Sequence, residues 1–325
     1  MENPPLFIVG CGRSGTTLLR TVLNAHSCIA IPLESLFLID YLRVADRVPL
    51  SKIVKQCSRE YELKEWGLKP ADFDLETVDT LPELIERLHL GYAAFAKSIW
   101  GQKTPRMIRH LDLIERFFPG SRYIHVIRDS RAVAASLIRS PVHASTPRHA
   151  AVRWRIDVTA GLAFEAQHPD QVMRVHYEDL VSRFPETVQA VCAFLGVQFE
   201  PEMLTHQQFR EGVYSNRYYR AVHNNLDSAI RPERREAWTQ ELTPREIATV
   251  EAICGPTMEQ LGYTTQAAAK PLPVWRTAAA RTVGVIRQTS HYLRYRRGYL
   301  FGAARRKWVL GLWLRDLQRL SALNR

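Results

Sequence analysis

A glycine-rich segment near the start of the sequence, residues 10–17, has the residue types that bind a phosphate-like anion. It follows an apolar run, residues 6–9, and precedes residues 18–23, whose apolar spacing is typical of the first turns of a helix. In a strand–turn–helix unit the backbone N–H groups of the turn converge on an anion at the helix N-terminus. Two glycines and the hydroxyl of Thr17 stand at the spacing of a P-loop, so the segment predicts a nucleotide phosphate site.

The same segment departs from the P-loop of nucleotide triphosphatases at one position. Thr16 occupies the place of the lysine that reaches the β- and γ-phosphates, and Arg13 supplies a positive charge earlier in the loop. A loop of this composition suits a shorter group than a triphosphate. It therefore favours a nucleotide such as an adenosine 5′-phosphosulfate over ATP.

Three further polar side chains fall where predicted strands end. Glu34 lies just past a second predicted strand, Arg128 ends a β-branched and aromatic run, and Tyr177 follows the next strand. In open α/β sheets ligands bind outside the carboxyl ends of the strands, so we expect these groups near the loop. Ser136 lies in the helix that follows Arg128, where its hydroxyl can face the same nucleotide.

The elements that position these residues alternate between strands and helices. Strands are expected over residues 6–9, 27–31, 122–127 and 172–175. Helices are expected over most of 34–100 and over 106–118, 132–137, 147–168, 186–195 and 244–261. This alternation predicts an α/β fold, a P-loop-type parallel sheet flanked by helices, with a C-terminal helical extension.

Two motifs in this order resemble those of the sulfotransferases that use 3′-phosphoadenosine 5′-phosphosulfate (PAPS). The first is the 5′-phosphosulfate loop, residues 12–19, and the second is the 3′-phosphate element, residues 126–136. Within that family the chain is most similar to the tyrosylprotein type and its bacterial relatives, through residues 13–34, 103–105 and 176–181. The resemblance covers about residues 5–262.

The resemblance implies which residues hold the PAPS donor. The 5′-phosphate is assigned to the loop residues Gly12, Arg13, Ser14, Gly15, Thr16 and Thr17. The 3′-phosphate, a dianion suited to a charge-assisted partner, is assigned to Arg128 and Ser136. Tyr177 lies near the adenine or serves packing alone. A third element, an arginine or lysine a few residues before a tryptophan, is loosely matched by Arg231, Arg234 and Arg235 ahead of Trp238, and of these Arg231 or Arg235 is preferred.

The catalytic roles follow from the same resemblance. Glu34 matches the family's general base, which takes the proton of the attacking hydroxyl. Lys103 matches its catalytic lysine, which neutralises charge on the sulfuryl oxygens, and Arg13 assists from the loop. No metal is expected, because sulfuryl transfer starts from a less charged group than phosphoryl transfer. A carboxylate favoured at a helix N-terminus and a solvated surface lysine are the alternatives for Glu34 and Lys103.

A departure from the family pattern bears on the acceptor, which the resemblance implies is a hydroxyl or an amine. In the tyrosylprotein type an arginine two residues beyond the catalytic glutamate helps to read acidic peptides. Here that position is Leu36, within the apolar segment 34–39. The sequence therefore favours a lipid, a glycolipid, a phenol or a polyketide-like acceptor.

The last part of the chain differs in composition from the rest, which suggests a PAPS-binding domain over residues 1–266 and an extension over 267–325. Residues 270–325 hold 13 Lys or Arg residues and one acid, while the whole chain has a net charge of +11, so the remainder is nearly neutral. Apolar residues at helical spacing among these arginines are typical of a helix on an anionic membrane surface. A helix packed on the core, or on a second subunit of a homodimer, fits equally. The apolar content argues against a nucleic-acid partner.

Two other function classes compete with a sulfotransferase. The missing loop lysine disfavours a P-loop nucleotide kinase, and the presence of Glu34 and Lys103 disfavours a non-catalytic nucleotide-binding module recruited to membranes. Five widely spaced cysteines predict reduced thiols, and the early first strand predicts that no leader peptide precedes it. The expectation is a cytoplasmic enzyme, at most peripheral on a membrane.

Overall fold

A five-stranded parallel sheet, in the order β2-β3-β1-β4-β5, forms the centre of the fold. The strands are β1 Leu6–Gly10, β2 Ile29–Ala30, β3 Ile99–Lys103, β4 Arg122–Ile127 and β5 Val172–His176. The structure is a computed structural model that describes residues 3–69, 75–140, 143, 145–210, 232–266, 270–295 and 297–312. The α/β fold with a parallel sheet that the sequence predicts is confirmed.

Helices connect the strands and continue beyond the last of them. The first seven are α1 Thr16–Asn24, α2 Phe37–Leu42, α3 Leu50–Cys57, α4 Tyr61–Glu65, α5 Leu81–Gly91, α6 Leu111–Phe117 and α7 Ser130–Arg139. The later ones are α8 Pro147–Gln167, α9 Tyr177–Ser182, α10 Phe184–Leu195, α11 Trp238–Glu241, α12 Pro244–Gln260, α13 Val274–Tyr295 and α14 Arg297–Val309. Short 3-10 helices cover Leu75–Thr77, Pro105–His110, Pro201–Arg210 and Pro232–Arg235.

Strand β1 lies in the middle of the sheet, and all five of its residues are buried. Phe7 and Val9 join one apolar cluster, which includes side chains of α2 and α5. Leu6 and Ile8 join a second cluster, which includes side chains of α1 and α10. Because side chains alternate along a strand, both faces of the sheet are covered, as a parallel sheet requires.

The sequence pattern did not predict strand β3. Gly101 is required there, because a Cβ would lie 2.9 Å from the carbonyl oxygen of Leu6 in β1. Gln102 is fully buried and bonds to His89 at 2.7 Å and to Thr104 at 2.9 Å. A glycine and a satisfied polar residue thus replace the β-branched residues by which a strand is usually recognised.

Two smaller differences concern element ends. The strand expected over residues 27–31 is only two residues long in the sheet, at Ile29–Ala30. The single helix expected over 106–118 divides into the 3-10 helix Pro105–His110 and helix α6. The 3-10 turn begins at Pro105, which lacks the N–H that a continuing strand would need.

Helix α14 ties the C-terminal extension to the first third of the chain. Arg306 of α14 is 1% exposed and donates to the carboxylates of Asp40 at 2.8 Å and Glu60 at 2.5 Å. The carboxylate of Glu62 lies 3.5 Å away, and it is buried as well. We call these four residues the Arg306 cluster. The extension therefore packs on the core as far as α14 reaches.

Helix α13 contacts α8 and α14, and Arg281 of α13 donates to the carbonyl of His143 at 3.5 Å.

Among the helices of the described ranges, none combines the length and the hydropathy that crossing a bilayer demands. The predicted domain limit at residues 266–267 falls beside residues 267–269, which lie outside the described part of the chain.

Candidate functional site

The loop between β1 and α1 needs glycine at two positions. Gly10 has φ 145°, and a Cβ there would lie 2.3 Å from the carbonyl oxygen of Val126 in β4. Gly15 has φ 94° and caps α1, and a Cβ there would lie 2.4 Å from the ring of Tyr177. Helix α1 begins directly after it at Thr16, so the first N–H groups of the helix are available to an anion.

Several buried polar atoms beside this loop have no hydrogen-bond partner in the described part of the chain. They include the hydroxyl oxygen of Ser14 and Nε of Arg128. A buried donor that is left unpaired costs free energy, so such atoms mark a place for a polar ligand. Combined with the start of α1, they suit a nucleotide with phosphate or phosphosulfate groups.

Arg13, Ser136 and Arg128, which are far apart in sequence, are in direct contact. Nε of Arg13 donates to the hydroxyl of Ser136 at 2.9 Å, and Nη1 of Arg128 donates to the carbonyl of Arg13 at 3.1 Å. Arg13 has φ 78°, a left-handed conformation that few non-glycine residues adopt and that is often found at ligand sites. The guanidinium carbon of Arg128 lies 4.1 Å from the ring centre of Tyr177. These four side chains lie together above the C-terminal ends of β1, β4 and β5.

Lys103 connects the loop to Glu34 on the other side. Its Nζ donates to the hydroxyl of Thr17 at 3.1 Å and forms a close ion pair with the Glu34 carboxylate. The Lys103 side chain is 3% exposed, whereas that of Glu34 is 40% exposed. The ammonium is therefore fixed in the protein, and a molecule arriving from solvent can reach the carboxylate.

A buried hydrogen-bond network holds the segment of Glu34 against strand β3. The hydroxyl of Thr104 accepts from the Ser35 N–H at 3.1 Å and donates to the Ser35 carbonyl at 2.9 Å. Nε2 of Gln102 donates to the same hydroxyl at 2.9 Å. Sequence reasoning assigned no role to Gln102 or Thr104. Thr104 lay within the matched run 103–105 and Gln102 beside it, but the network itself depends on β3, which the sequence pattern did not predict.

The apolar segment 34–39 divides between the site and the core. Phe37, Leu38 and Ile39 are buried in the apolar cluster that contains Phe7. Leu36 is the one apolar residue of this segment that is partly exposed, and it lies two residues beyond Glu34. Most of the apolar character of this segment is therefore explained by packing and carries no information about an acceptor.

The structure describes only one of the two preferred candidates for the third nucleotide element. Arg231 lies outside the described residues. The guanidinium of Arg235 is half exposed and lies 3.6 Å from Glu236. The contact with the site comes instead from the backbone of Arg234, whose carbonyl accepts from Nη2 of Arg128 at 3.2 Å.

Within the described ranges, no three His, Cys, Asp or Glu side chains are grouped as a metal site requires. All five cysteines are free thiols. Cys11, in the loop, is fully buried, and burial raises the pKa of its thiol well above the usual value. A packing role fits it better than a reactive one.

Comparison with known proteins places the fold and the motifs in one family. A sequence model of the Sulfotransferase family matches residues 4–201. Protein-tyrosine sulfotransferase 1 of Danio rerio is 26% identical over 272 residues, which cover 81% of this chain and 73% of the relative. A putative protein-tyrosine sulfotransferase of Caenorhabditis briggsae is 27% identical over 208 residues, covering 62% of this chain and 69% of the relative.

Solved structures agree with the architecture. The sulfotransferase domain from the curacin biosynthetic pathway matches with a TM-score of 0.60 and 22% identity, covering 81% of this chain and 99% of that domain. The sulfotransferase domain from the Synechococcus PCC 7002 olefin synthase matches with a TM-score of 0.58 and 23% identity, over 81% and 96% of the two chains. At such identities the likeness shows the fold.

Proposed function

The chain belongs to the sulfotransferase family and is an enzyme that transfers a sulfuryl group to a hydroxyl acceptor, and from this premise we propose which of its residues bind and react. The family implies a sulfuryl donor such as PAPS, and we propose PAPS itself. The observation that carries the proposal is the chain of contacts from the loop through Thr17 and Lys103 to Glu34. It joins an anion site to a carboxylate that solvent can reach.

We assign the adenosine end of the donor to the β4–β5 side of the sheet. Arg128 and Ser136 hold the 3′-phosphate, since Arg128 keeps a buried unpaired Nε and Ser136 already bonds to Arg13. Tyr177, stacked under the Arg128 guanidinium, offers a flat surface to the adenine. Of the two candidates for the third element, the exposed position of Arg235 beside Glu236 gives it no support.

We assign the phosphosulfate end to the loop. Gly12, Arg13, Ser14, Gly15, Thr16 and Thr17 surround the 5′-phosphate with backbone N–H groups and hydroxyls. When bound, PAPS supplies an activated sulfur whose bond to the 5′-phosphate oxygen breaks. The fixed ammonium of Lys103 neutralises the charge that develops on the sulfuryl and bridging oxygens, with Arg13 assisting from the loop.

Glu34 takes the proton of the acceptor hydroxyl as its oxygen bonds to sulfur. The ion pair with Lys103 orients the carboxylate, and the Thr104 network holds its backbone. The products are the sulfated acceptor and adenosine 3′,5′-bisphosphate.

A transfer assay tests the function directly. The protein is incubated with sulfate-labelled PAPS and a panel of hydroxyl compounds: a tyrosine peptide, simple phenols, a polyketide-like alcohol and a glycolipid in detergent. Label is expected in an acceptor with wild-type protein, and not with Glu34→Gln. Phosphate transfer from labelled ATP in the same panel would instead support a nucleotide kinase.

For the acceptor we propose a hydrophobic hydroxyl compound. The relatives are named for protein tyrosine, but Leu36 stands where their type carries an arginine that reads acidic peptides. Because Phe37, Leu38 and Ile39 are core residues, this proposal rests on Leu36 alone. A tyrosine peptide that is a better substrate than every lipid and phenol of the panel contradicts it.

We propose further that α13 and α14 bind an anionic membrane surface. Trp275 and Leu293 are separated by five helical turns and, with Ile286, form an exposed apolar stripe on α13. Arg276 and Arg294 stand next to the two ends of this stripe, and both are exposed. An apolar stripe flanked by two arginines, on a helix that packs against α8 and α14, suits the interface of an anionic leaflet.

Vesicle sedimentation tests this surface. Full-length protein is expected to bind vesicles that contain phosphatidylserine at low salt, to release them at high salt, and to ignore neutral vesicles. The double change Trp275→Ser with Ile286→Ser should abolish binding, whereas Ile156→Ser, which removes an exposed isoleucine from α8, should not. If the double change instead abolishes a dimer seen by light scattering, the surface is a subunit interface and the membrane proposal is wrong.

A further inference from the structure

Arg153 of helix α8 reaches the loop between β1 and α1 from the side. Its Nη2 lies 2.7 Å from the position that a Cβ on Gly12 would occupy, and its guanidinium carbon lies 3.6 Å from it. Glycine at position 12 is what allows this approach, since the Gly12 backbone is not in the left-handed region that would by itself demand glycine. A cation is thus placed directly against the backbone of the predicted anion loop.

The charge of Arg153 is only partly balanced by the surrounding protein. Its Nε is buried and has no hydrogen-bond partner in the described residues. The acid beside it, Asp157, lies 3.7 Å away, which is beyond hydrogen-bond length. Asp157 is 1% exposed and already accepts from Nε of Arg109. Asp157 brings one negative charge to two arginines, so one positive charge of this group remains for a ligand, although its Oδ2, the oxygen that faces Arg153, also has no hydrogen-bond partner in the described residues.

The neighbourhood of Arg153 is positive in other respects. His143 and His149 lie close enough to it for its charge to act on both rings. Burial first, and nearby arginines second, lower the pKa of His143 to about 3 and that of His149 to about 4. Both rings are neutral at pH 7, as expected where the local potential favours an anion and opposes a further cation.

The neighbours of Arg153 indicate which end of the donor it faces. Helix α8 contacts the 3-10 helix Pro105–His110, which follows Lys103 and β3, and Arg109 of that 3-10 helix shares Asp157 with Arg153. Arg128 and Tyr177 lie on the opposite side of β1, at the ends of β4 and β5. The neighbouring Trp154 donates to the carbonyl of Arg128 at 2.8 Å, so helix α8 borders both ends of the site. The approach of the Arg153 guanidinium to Gly12 is what assigns it to the phosphosulfate end.

We propose that Arg153 binds the sulfonate oxygens of the PAPS donor and opposes the Lys103 ammonium across the transferred group. This inference deepens the proposed function and depends on it. As the acceptor oxygen bonds to sulfur, the bond from sulfur to the 5′-phosphate oxygen breaks and the acceptor proton passes to Glu34. Arg153 keeps its charge throughout and stabilises the negative charge on the sulfonate oxygens and the departing phosphate.

Calorimetry with two nucleotides tests the proposal, because PAPS and adenosine 3′,5′-bisphosphate differ only in the sulfonate. Arg153→Met should raise the Kd for PAPS at least about tenfold, as expected for the loss of a charge-assisted hydrogen bond, and the Kd for the bisphosphate by less than about threefold. Retained binding of the bisphosphate also shows that the variant is folded. Arg155→Met, which removes an exposed arginine from the same helix, should change neither Kd.

Two results overturn the proposal. One is an equal loss of affinity for both nucleotides, which would place Arg153 at the 5′-phosphate or in the folded framework. The other is an unchanged Kd for PAPS in Arg153→Met. If wild-type protein binds neither nucleotide, the proposed donor itself is wrong, and that failure is distinct from either of these.

Discussion

Lys103 and Glu34 form one ion pair with very different access to solvent, and this difference suggests separate roles. A lysine that is 3% exposed cannot leave the site, while a carboxylate that is 40% exposed can meet an incoming hydroxyl. Glu34→Gln keeps the shape and the contact with Lys103 but removes the base. We expect turnover to fall about 10²–10⁴-fold with unchanged affinity for adenosine 3′,5′-bisphosphate. Steady-state rates and calorimetry measure the two quantities, and near-normal turnover would contradict the role of Glu34.

The second prediction at this scale concerns the 3′-phosphate. Arg128→Ala should weaken binding of adenosine 3′,5′-bisphosphate by about 1.5–3 kcal/mol, since it removes a hydrogen bond to a charged group. Binding of adenosine 5′-phosphate, which lacks the 3′-phosphate, should change much less. Titration calorimetry compares the two ligands in both proteins. Equal losses for both would show that Arg128 does not read the 3′-phosphate.

Most residues of the candidate site could be proposed from sequence because each is part of a contiguous motif. Arg13 and Thr17 belong to the glycine loop, and Arg128 and Ser136 to the second motif; the structure brings Arg13, Ser136 and Arg128 into contact. Arg153 could not be predicted in this way. It enters the site only through the packing of α8 against the loop, and nothing near it in sequence marks it.

At the scale of elements, the hydrogen bonds between Thr104, which follows β3, and Ser35, which follows β2, hold Glu34 in position. The Thr104 hydroxyl closes three buried hydrogen bonds, two of them with the backbone of Ser35. Thr104→Val keeps the shape but leaves these groups unpaired. We expect the free energy of unfolding to fall by about 1–3 kcal/mol and turnover to fall more than nucleotide affinity.

Urea unfolding and steady-state kinetics test this prediction together. Thr104→Ser retains the hydroxyl and loses only a methyl group, so it should keep most of the activity. If Thr104→Val is as active as wild type, the network does not position Glu34.

The limits of sequence reasoning are clearest for strand β3. The strands at 6–9, 122–127 and 172–175 were recognised from runs of apolar and β-branched residues, and all three are present. In β3, Gly101 is needed because β1 approaches its backbone closely. Gln102 is buried there because its side chain forms a hydrogen bond with His89 of α5. Both causes are contacts between elements, and no local pattern expresses them.

At the scale of the whole molecule, the Arg306 cluster makes the extension part of the folded enzyme. Removing a single cation from three buried carboxylates leaves uncompensated charge inside the protein. Arg306→Met should therefore lower the free energy of unfolding by about 3–5 kcal/mol. Arg305→Met, which removes a neighbouring exposed arginine, should cost less than about 1 kcal/mol. Similar urea midpoints for the two variants would contradict the prediction.

The same cluster predicts a dependence of stability on pH. Burial raises the pKa of Glu62 from 4.5 to about 7, despite the attraction of Arg306. Between these values the native state holds a proton that the unfolded state has lost, so the stabilisation by this proton is lost as pH rises through about 7. In Glu62→Gln this loss is absent. The unfolding free energy of the variant relative to wild type should therefore rise by about 2–3 kcal/mol from pH 5 to pH 8.

Urea titrations at both pH values measure this difference. Glu202→Gln, which changes an exposed glutamate, should show no such trend. A relative stability of Glu62→Gln that is constant with pH would show that Glu62 is ionised throughout this range.

The long separation in sequence within the Arg306 cluster also has a consequence for biosynthesis. Arg306 follows Glu62 by 244 residues and Asp40 by 266 residues. At a synthesis rate of about 5–20 residues per second, the guanidinium emerges about 12–50 s after the carboxylates that it neutralises. During that interval α2 and α4 exist without their counter-ion. The part of the enzyme that contains α2 and α4 therefore remains incompletely folded until α14 has been made.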